Sequence, residues 1–250
     1  MATSSVEQET CEAAGPLLVV AALARELAPL VREARADVAL IETGEGIRNS
    51  ERAVRSWLDQ RAACAVLGIG FAGALSPSLA VGDLVIARSV RGADRAGESF
   101  ISSPVLLSAA GQVRIEGMHF GAAITVDEIV GEASAKRRLA TLLARDEIGC
   151  VDMESSAIAR ACGERKLPFL IVRSITDLLD EDLPLDFNRC RTVDGRVSAQ
   201  RVIRAALARP RSFKGLLELK RRSDQCAERL AAFVRQLLCS IHQDDVRGFK

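Results

Sequence analysis

The chain has 250 residues, 48% hydrophobic and 27% charged, the make-up of one ordinary globular domain able to bury a sizeable core. Its formal net charge of +1 gives no bulk electrostatic case for nucleic acid or an acidic membrane surface. Seven cysteines with no CxxC pair and only two histidines speak against a zinc site and fit reduced thiols in the cytoplasm.

Residues 1–15, acidic and rich in small residues, lack the basic start and apolar core of a signal peptide and are expected to be a disordered tail. Residues 16–240 then form one expected domain. In chain order, 17–22 predicts a strand, 24–36 a helix, 37–42 a strand, 47–60 a helix, and 64–69 and 83–90 strands. Between the second strand and second helix, Gly44-Glu45-Gly46 predicts a tight turn. The stretch 91–117 is the least regular and is expected to hold an excursion or loop. Helices are expected over 132–145 and 154–166, and His119 is read as a sheet residue. The region 198–238 is helical by pattern, with Pro210 dividing it. The alternation points to an α/β architecture with a mostly parallel sheet. No apolar run reaches the roughly 18 residues of a membrane span.

Chemistry concentrates in two stretches. Val151-Asp152-Met153-Glu154-Ser155-Ser156-Ala157 places acids at the end of an apolar run and the start of a helical one. Phe169-Leu170-Ile171-Val172-Arg173-Ser174-Ile175-Thr176-Asp177 ends another apolar run in a polar pair. Buried parallel strands read as such runs, and ligands of open α/β folds bind at the carboxyl ends of strands. Each acid also has a plainer reading: Glu154 as a helix N-terminal acid, Asp177 as a turn or cap residue, Glu26 as a solvated helix residue. Met153 alone reads as core filler. Arg25, Arg48 and Arg173 are the basic candidates near strand rims, and a structural ion pair is the plainer reading of Arg173.

Together these motifs resemble those of the nucleoside phosphorylase and nucleosidase superfamily. Asp152-Met153-Glu154-Ser155-Ser156-Ala157 and Val172-Arg173-Ser174-Ile175-Thr176-Asp177 resemble its paired signature segments. Val20 to Glu26, Gly68-Ile69-Gly70-Phe71-Ala72-Gly73-Ala74-Leu75 and Pro77 to Val85 resemble three further segments in the same order. The resemblance implies a three-layer α/β/α fold around a central mixed, partly closed sheet. It also implies cleavage of a purine nucleoside at the N-glycosidic bond. Asp177 would then help protonate the purine, Glu154 bind the ribose diol, Met153 pack against the sugar and Glu26 activate water. Gly70, Phe71, Ala72 and Gly73 would form a loop close under the base, with Arg173 at the aligned basic position. Asp152 stands where the family has glutamate, and Phe71 where many relatives have serine.

The same comparison favours hydrolysis over phosphorolysis. An arginine and a serine expected to face phosphate are replaced by Gly68 and Phe71, and a phosphate site needs such donors together. Arg48 remains a candidate replacement cation, with phosphate the co-substrate in that alternative; otherwise no cofactor and no metal is expected. Asp177 favours adenine as the base. Asp182-Leu183-Pro184, Asp194-Gly195-Arg196-Val197 and Leu207-Ala208-Arg209-Pro210 followed by Leu216-Leu217-Glu218-Leu219 resemble the hopanoid-associated branch. That resemblance implies adenosylhopane as substrate and ribosylhopane as product, with 91–117 leaving room for a lipid-like 5′ group and Leu216, Leu217, Leu219 and Phe213 offering an apolar face. Alternatives are a methylthioadenosine/S-adenosylhomocysteine nucleosidase, a phosphorylase, or a nucleoside-binding protein without turnover. A homo-oligomer is expected, with no nucleic-acid partner.

Overall fold

The computed structural model describes residues 15–33, 35–93, 98–192, 194–209 and 212–247; nearly all of the expected N-terminal tail lies outside them. Eight strands form a single sheet: β1 (Leu17–Ala21), β2 (Val38–Glu42), β3 (Ala65–Ala74), β4 (Leu84–Gly92), β5 (Ser99–Ile101), β6 (Met118–Thr125), β7 (Gly149–Asp152) and β8 (Phe169–Asp177). The strand order is β2-β1-β3-β7-β6-β4-β5, and β8 pairs with both β3 and β4. Five strands therefore close on themselves as β3-β7-β6-β4-β8, while β1, β2 and β5 extend the open flanks. Pairing is mixed: β1–β2, β1–β3, β3–β8, β4–β6 and β6–β7 are parallel, whereas β3–β7, β4–β5 and β4–β8 are antiparallel.

Side chains alternate across each strand, so one apolar run serves two cores. On one face Leu17, Val19, Leu67, Ile69, Leu84, Ile86, Leu170 and Val172 pack with Leu230, Phe233, Val234 and Leu237. These last four come from α7 (Ser212–Arg247), and residues of α1 (Ala24–Val31) and α3 (Pro104–Gln112) join them. On the other face Leu18, Val20, Val66, Val85, Ile171 and Ile175 pack against α2 (Ile47–Leu58) and α5 (Ser155–Gly163). The other helices among the described residues are α4 (Ala133–Ala140), α6 (Ala199–Ala208) and the short 3-10 helix Phe187–Cys190. The expected three-layer α/β/α fold with a mixed, partly closed sheet is the one observed. No described helix is long and apolar enough to cross a membrane.

Three expectations need correction. The expected loop Gly70–Gly73 lies wholly in the second half of β3, which runs to Ala74. The irregular stretch 91–117 contains β5 and α3, although residues 94–97 lie outside the described set. Helices end earlier than their patterns: the first at Val31, the second at Leu58 and α5 at Gly163. His119 does sit in the sheet, its Nε2 3.1 Å from Asp83 Oδ2.

Candidate active site

A cavity of about 550 Å³ opens at the carboxyl ends of β1, β7 and β8. Four buried carboxylates line it: Glu26 on α1, Asp152 at the end of β7, Glu154 between β7 and α5, and Asp177 at the end of β8. Met153, Phe71, Ala72 and Gly73 also line it. Seven of the expected site residues are thus brought to one cavity. Gly70 and Arg173 are not among those lining it.

Glu26 is held at both oxygens. Oε2 accepts from the Leu23 amide at 2.8 Å, capping α1, and Oε1 accepts from the Phe71 amide at 2.9 Å. Burial raises its pKa, against the opposing pull of the Phe71 amide and the Arg173 charge. The solvated-helix reading of Glu26 does not describe a side chain only 3% exposed.

Glu154 occupies the residue before α5 but leaves the helix amides alone. Its Oε1 accepts from the Gly46 amide at 2.7 Å. Gly44 and Gly46, with φ of +81° and +90°, shape the turn that presents this amide, so the acceptor it meets is the chain's own Glu154 carboxyl group. Burial, then the neighbouring Asp152 charge, pushes the Glu154 pKa up to about 8.

Asp177 accepts from Thr176 Oγ1 at 2.8 Å and is ion-paired with Lys136 of α4. Lys136 is fully buried, and its Nζ also donates to the carbonyls of Leu178 at 2.7 Å and Glu181 at 2.9 Å. Burial raises the Asp177 pKa, and the Lys136 charge works against that rise. The sequence offered no sign of Lys136, which lies in the polar run Ser134-Ala135-Lys136-Arg137-Arg138 and reads there as solvated.

Arg173 lies beneath this layer and is fully buried. Its Nε is 2.6 Å from Asp152 Oδ2 and 3.1 Å from Ser155 Oγ, and Nη2 donates to Ser155 Oγ at 2.9 Å. Asp152 in turn accepts from the Ser155 amide at 3.2 Å and from Thr125 Oγ1 at 2.9 Å, and so caps α5. Arg173 makes the buried ion pair that was its plainer reading, and the structure places it behind the cavity lining and not in it. The role expected of Gly70 changes with it: a Cβ there would lie 2.1 Å from Arg173 Nη1, so Gly70 makes room for the guanidinium. At Gly73 a Cβ would lie 2.9 Å from Asp177 Oδ2.

The cation candidates also sort themselves. Arg48 lies in a separate surface depression with Glu51 and Arg55, away from this cavity. Arg25 lines the cavity, its guanidinium 5.3 Å from the Phe71 ring centroid. Gly68 leaves no space for a longer residue, since a Cβ there would meet Ile171 at 2.5 Å.

The opposite wall is apolar: Ile129, Val130, Leu183, Phe187, Leu216 and Leu219 line it, with Val197, Val202 and Ile203 alongside. The described residues of 91–117 contribute nothing to this lining, which is built instead by residues of α6, α7 and Leu183, Phe187 and Val197. Of the apolar face expected there, Leu216 and Leu219 reach the cavity, while Leu217 and Phe213 stand exposed. The short motifs around 182 and 194 turn out to build this wall. Asp182 caps α4 through the Ala133 amide at 2.7 Å, and the Val197 amide donates to Glu45 Oε2 at 2.7 Å.

Comparison with known proteins agrees with this architecture. The sequence model of the phosphorylase superfamily matches residues 30–208. A 5′-methylthioadenosine/S-adenosylhomocysteine nucleosidase of Shewanella sediminis is 28% identical over 190 residues, 67% of this chain and 80% of its own. The protein of that name from Shewanella oneidensis is 30% identical over 175 residues, 61% of this chain and 71% of its own. Among solved structures, the Neisseria meningitidis nucleosidase in complex with methylthio-immucillin-A superposes with a TM-score of 0.70, covering 90% of this chain and 98% of its own at 19% identity. The Colwellia psychrerythraea nucleosidase in complex with adenine gives 0.67, covering 91% and 96% at 20% identity. These two structures share the fold.

Proposed function

The chain belongs to the phosphorylase superfamily, and on that premise we propose that it cleaves the N-glycosidic bond of an adenine nucleoside with water, releasing adenine. The observation that carries this reading is the set of three buried carboxylates, Glu26, Glu154 and Asp177, around one cavity, each with its pKa raised by burial. Breaking this bond builds positive charge on the ribose and negative charge on the base. Asp177, when it carries a proton, donates it to the leaving purine, and the Lys136 ammonium pairs with the carboxylate left behind. Glu154 accepts from the ribose diol, and Met153 packs against the sugar. Glu26, ionised, takes a proton from the attacking water. Each proton transfer of this kind contributes about 10²–10⁴-fold. Phe71, Ala72 and Gly73 form the wall beside the base.

Water is favoured over phosphate by the charge of the cavity. Its lining includes six acids (Glu26, Glu45, Glu128, Asp152, Glu154, Asp177) and two bases, Arg25 and Lys220. Ionised Glu26 would repel a phosphate dianion at the position of the nucleophile, whereas it suits a neutral water molecule.

The apolar wall favours a substrate with an apolar 5′ group, and adenosylhopane, giving ribosylhopane, is the reading that fits it best. The names of the relatives favour a second reading, a small thioether at the 5′ position. Adenine release should be measured from adenosine, methylthioadenosine and a long-chain 5′-alkyl adenosine, with and without phosphate. Release without phosphate, fastest for the long-chain compound, is expected. Phosphate dependence would make the protein a phosphorylase, and tight binding without release a binding module. If the long-chain compound is the poorest of the three, the small-nucleoside reading replaces the hopanoid one.

A further inference from the structure

The net charge of +1 conceals a local excess. From Ser198 to Leu217 the sequence contains five basic residues, Arg201, Arg204, Arg209, Arg211 and Lys214, and no acid. The same stretch holds four of the eight large apolar side chains that stand exposed among the described residues: Ile203 at 59%, Leu207 at 76%, Phe213 at 58% and Leu217 at 55%. Ile203 and Leu207 are spaced i, i+4 on α6, and Phe213 and Leu217 are spaced i, i+4 on α7, so each pair shares one side of its helix. Both helices border the cavity, where Ile203 and Leu216 line the same space. Next to them a groove of about 530 Å³ gathers Arg189, Arg201, Arg204 and Arg209 around a single acid, Asp186. Arg189 is paired with that acid at 3.0 Å and Arg201 is bound to the Arg191 carbonyl, while Arg204 and Arg209 are exposed.

We propose that α6 and the first turns of α7 form a docking surface for an anionic lipid bilayer, which seats the mouth of the cavity against the membrane. Exposed leucine and phenylalanine flanked by arginine and lysine, with no acid between them, suit the boundary between headgroups and acyl chains. Each basic residue close to an anionic leaflet adds to the attraction, and the arginine groove suits lipid phosphates. A second copy of the chain is a poorer occupant, because symmetric pairing would bring two acid-free basic stretches together. The surface deepens the substrate reading given above: an amphiphilic nucleoside could pass from the leaflet along Ile203 and Leu216 without its apolar group crossing water. The docking itself is tested without that substrate.

The full chain should be sedimented with vesicles of phosphatidylcholine alone and of phosphatidylcholine mixed with phosphatidylglycerol. Binding to the mixed vesicles alone, weakening as salt is raised, is expected. Two triple variants, Leu207→Ser with Phe213→Ser and Leu217→Ser, and Arg204→Gln with Arg209→Gln and Lys214→Gln, should each lower that binding at least about tenfold. Neither changes a residue lining the main cavity, so thermal melting and adenine release from methylthioadenosine in vesicle-free buffer should match the parent. Failure of the parent to bind the mixed vesicles, or unchanged binding by both variants, overturns the proposal. A dimer in sedimentation velocity that the apolar variant dissociates, without vesicle binding by the parent, assigns the surface to a second copy instead. Absence of adenine release from every nucleoside would sink the nucleosidase reading and leave the vesicle result standing.

Discussion

The two walls of the cavity are held in different ways. On the strand-end wall each carboxylate is fixed by groups of the sheet and its turns: Glu26 by the Leu23 and Phe71 amides, Glu154 by the Gly46 amide, Asp177 by Thr176 and Lys136. The closed ring of β3, β7, β6, β4 and β8 lies directly behind them. On the helical wall the lining is aliphatic, and α6 touches the rest of the chain chiefly through the short 3-10 helix Phe187–Cys190. A reaction that moves protons needs donors and acceptors placed closely, whereas an apolar group is bound by area and tolerates a looser surface. On the function proposed above, chemistry resides on the strand-end wall and substrate choice on the helical one, and mutation can separate the two.

The largest effect belongs to the strand-end wall. Asp177→Asn should lower adenine release by at least about 10²-fold in a folded protein, measured as kcat on methylthioadenosine. Near-parent turnover would remove Asp177 from the chemistry. Arg173→Met should act on stability first. It leaves Asp152 buried without its cation, which costs about 3–5 kcal/mol, read as a lowered denaturation midpoint in urea. A midpoint like that of the parent would show that the Arg173–Asp152 pair does not support the site.

The third effect is a pH dependence. Glu154 has a folded pKa of about 8 against an ordinary value of 4.5, so the folded chain holds a proton that the unfolded chain has released between those two values. The stability tied to that proton is fully present below pH 4.5 and is lost as pH rises through 8. Urea unfolding followed from pH 5 to pH 8.5 should show a loss on the order of a few kcal/mol, and Glu154→Gln should flatten it. Above pH 8, where Glu154 is ionised and is the stronger acceptor, the same variant should narrow the preference for ribosides over 2′-deoxyribosides. An unchanged slope and an unchanged preference would take Glu154 out of both roles.

The smallest effect belongs to the helical wall. Leu216→Ala should lower kcat/KM for a long-chain 5′-alkyl adenosine by about five- to tenfold, from the loss of apolar contact, and leave adenosine almost untouched. An equal loss on both substrates would mean that Leu216 supports the catalytic wall, and the division between the two walls would fail.

How much of this was legible follows the same line. The acids Glu26, Glu154 and Asp177 could be read because each sits beside a strand end, where an apolar run turns polar. The glycines misled, because Gly70 and Gly73 read as a loop and instead lie in β3. They are glycine because Arg173 and Asp177 from the neighbouring strand fill the space of their side chains, a fact of tertiary packing that no local pattern carries. Of strand β6 only His119 was read as sheet, and the bounds were hidden for a related reason: the run Gly121-Ala122-Ala123 has small side chains, and a Cβ on Gly121 would lie 2.1 Å from the Ile148 carbonyl oxygen. Lys136 was invisible because its burial depends on carbonyls of Leu178 and Glu181, more than forty residues away. The helical wall was only half legible, since periodicity marks Leu216, Leu217 and Leu219 as apolar without saying which of them reach the cavity.

The contact between Gly70 and Arg173 has a consequence for how the chain can vary. Any side chain at position 70 would meet the guanidinium, and a shorter residue at 173 would abandon Asp152 and Ser155. Neither position is free to change first. A path through sequence space that replaces this pair must alter both residues together, or pass through an intermediate that carries either a collision or an unpaired buried charge. The two positions, 103 apart in number but adjacent across the β3–β8 ladder, behave as a single heritable choice.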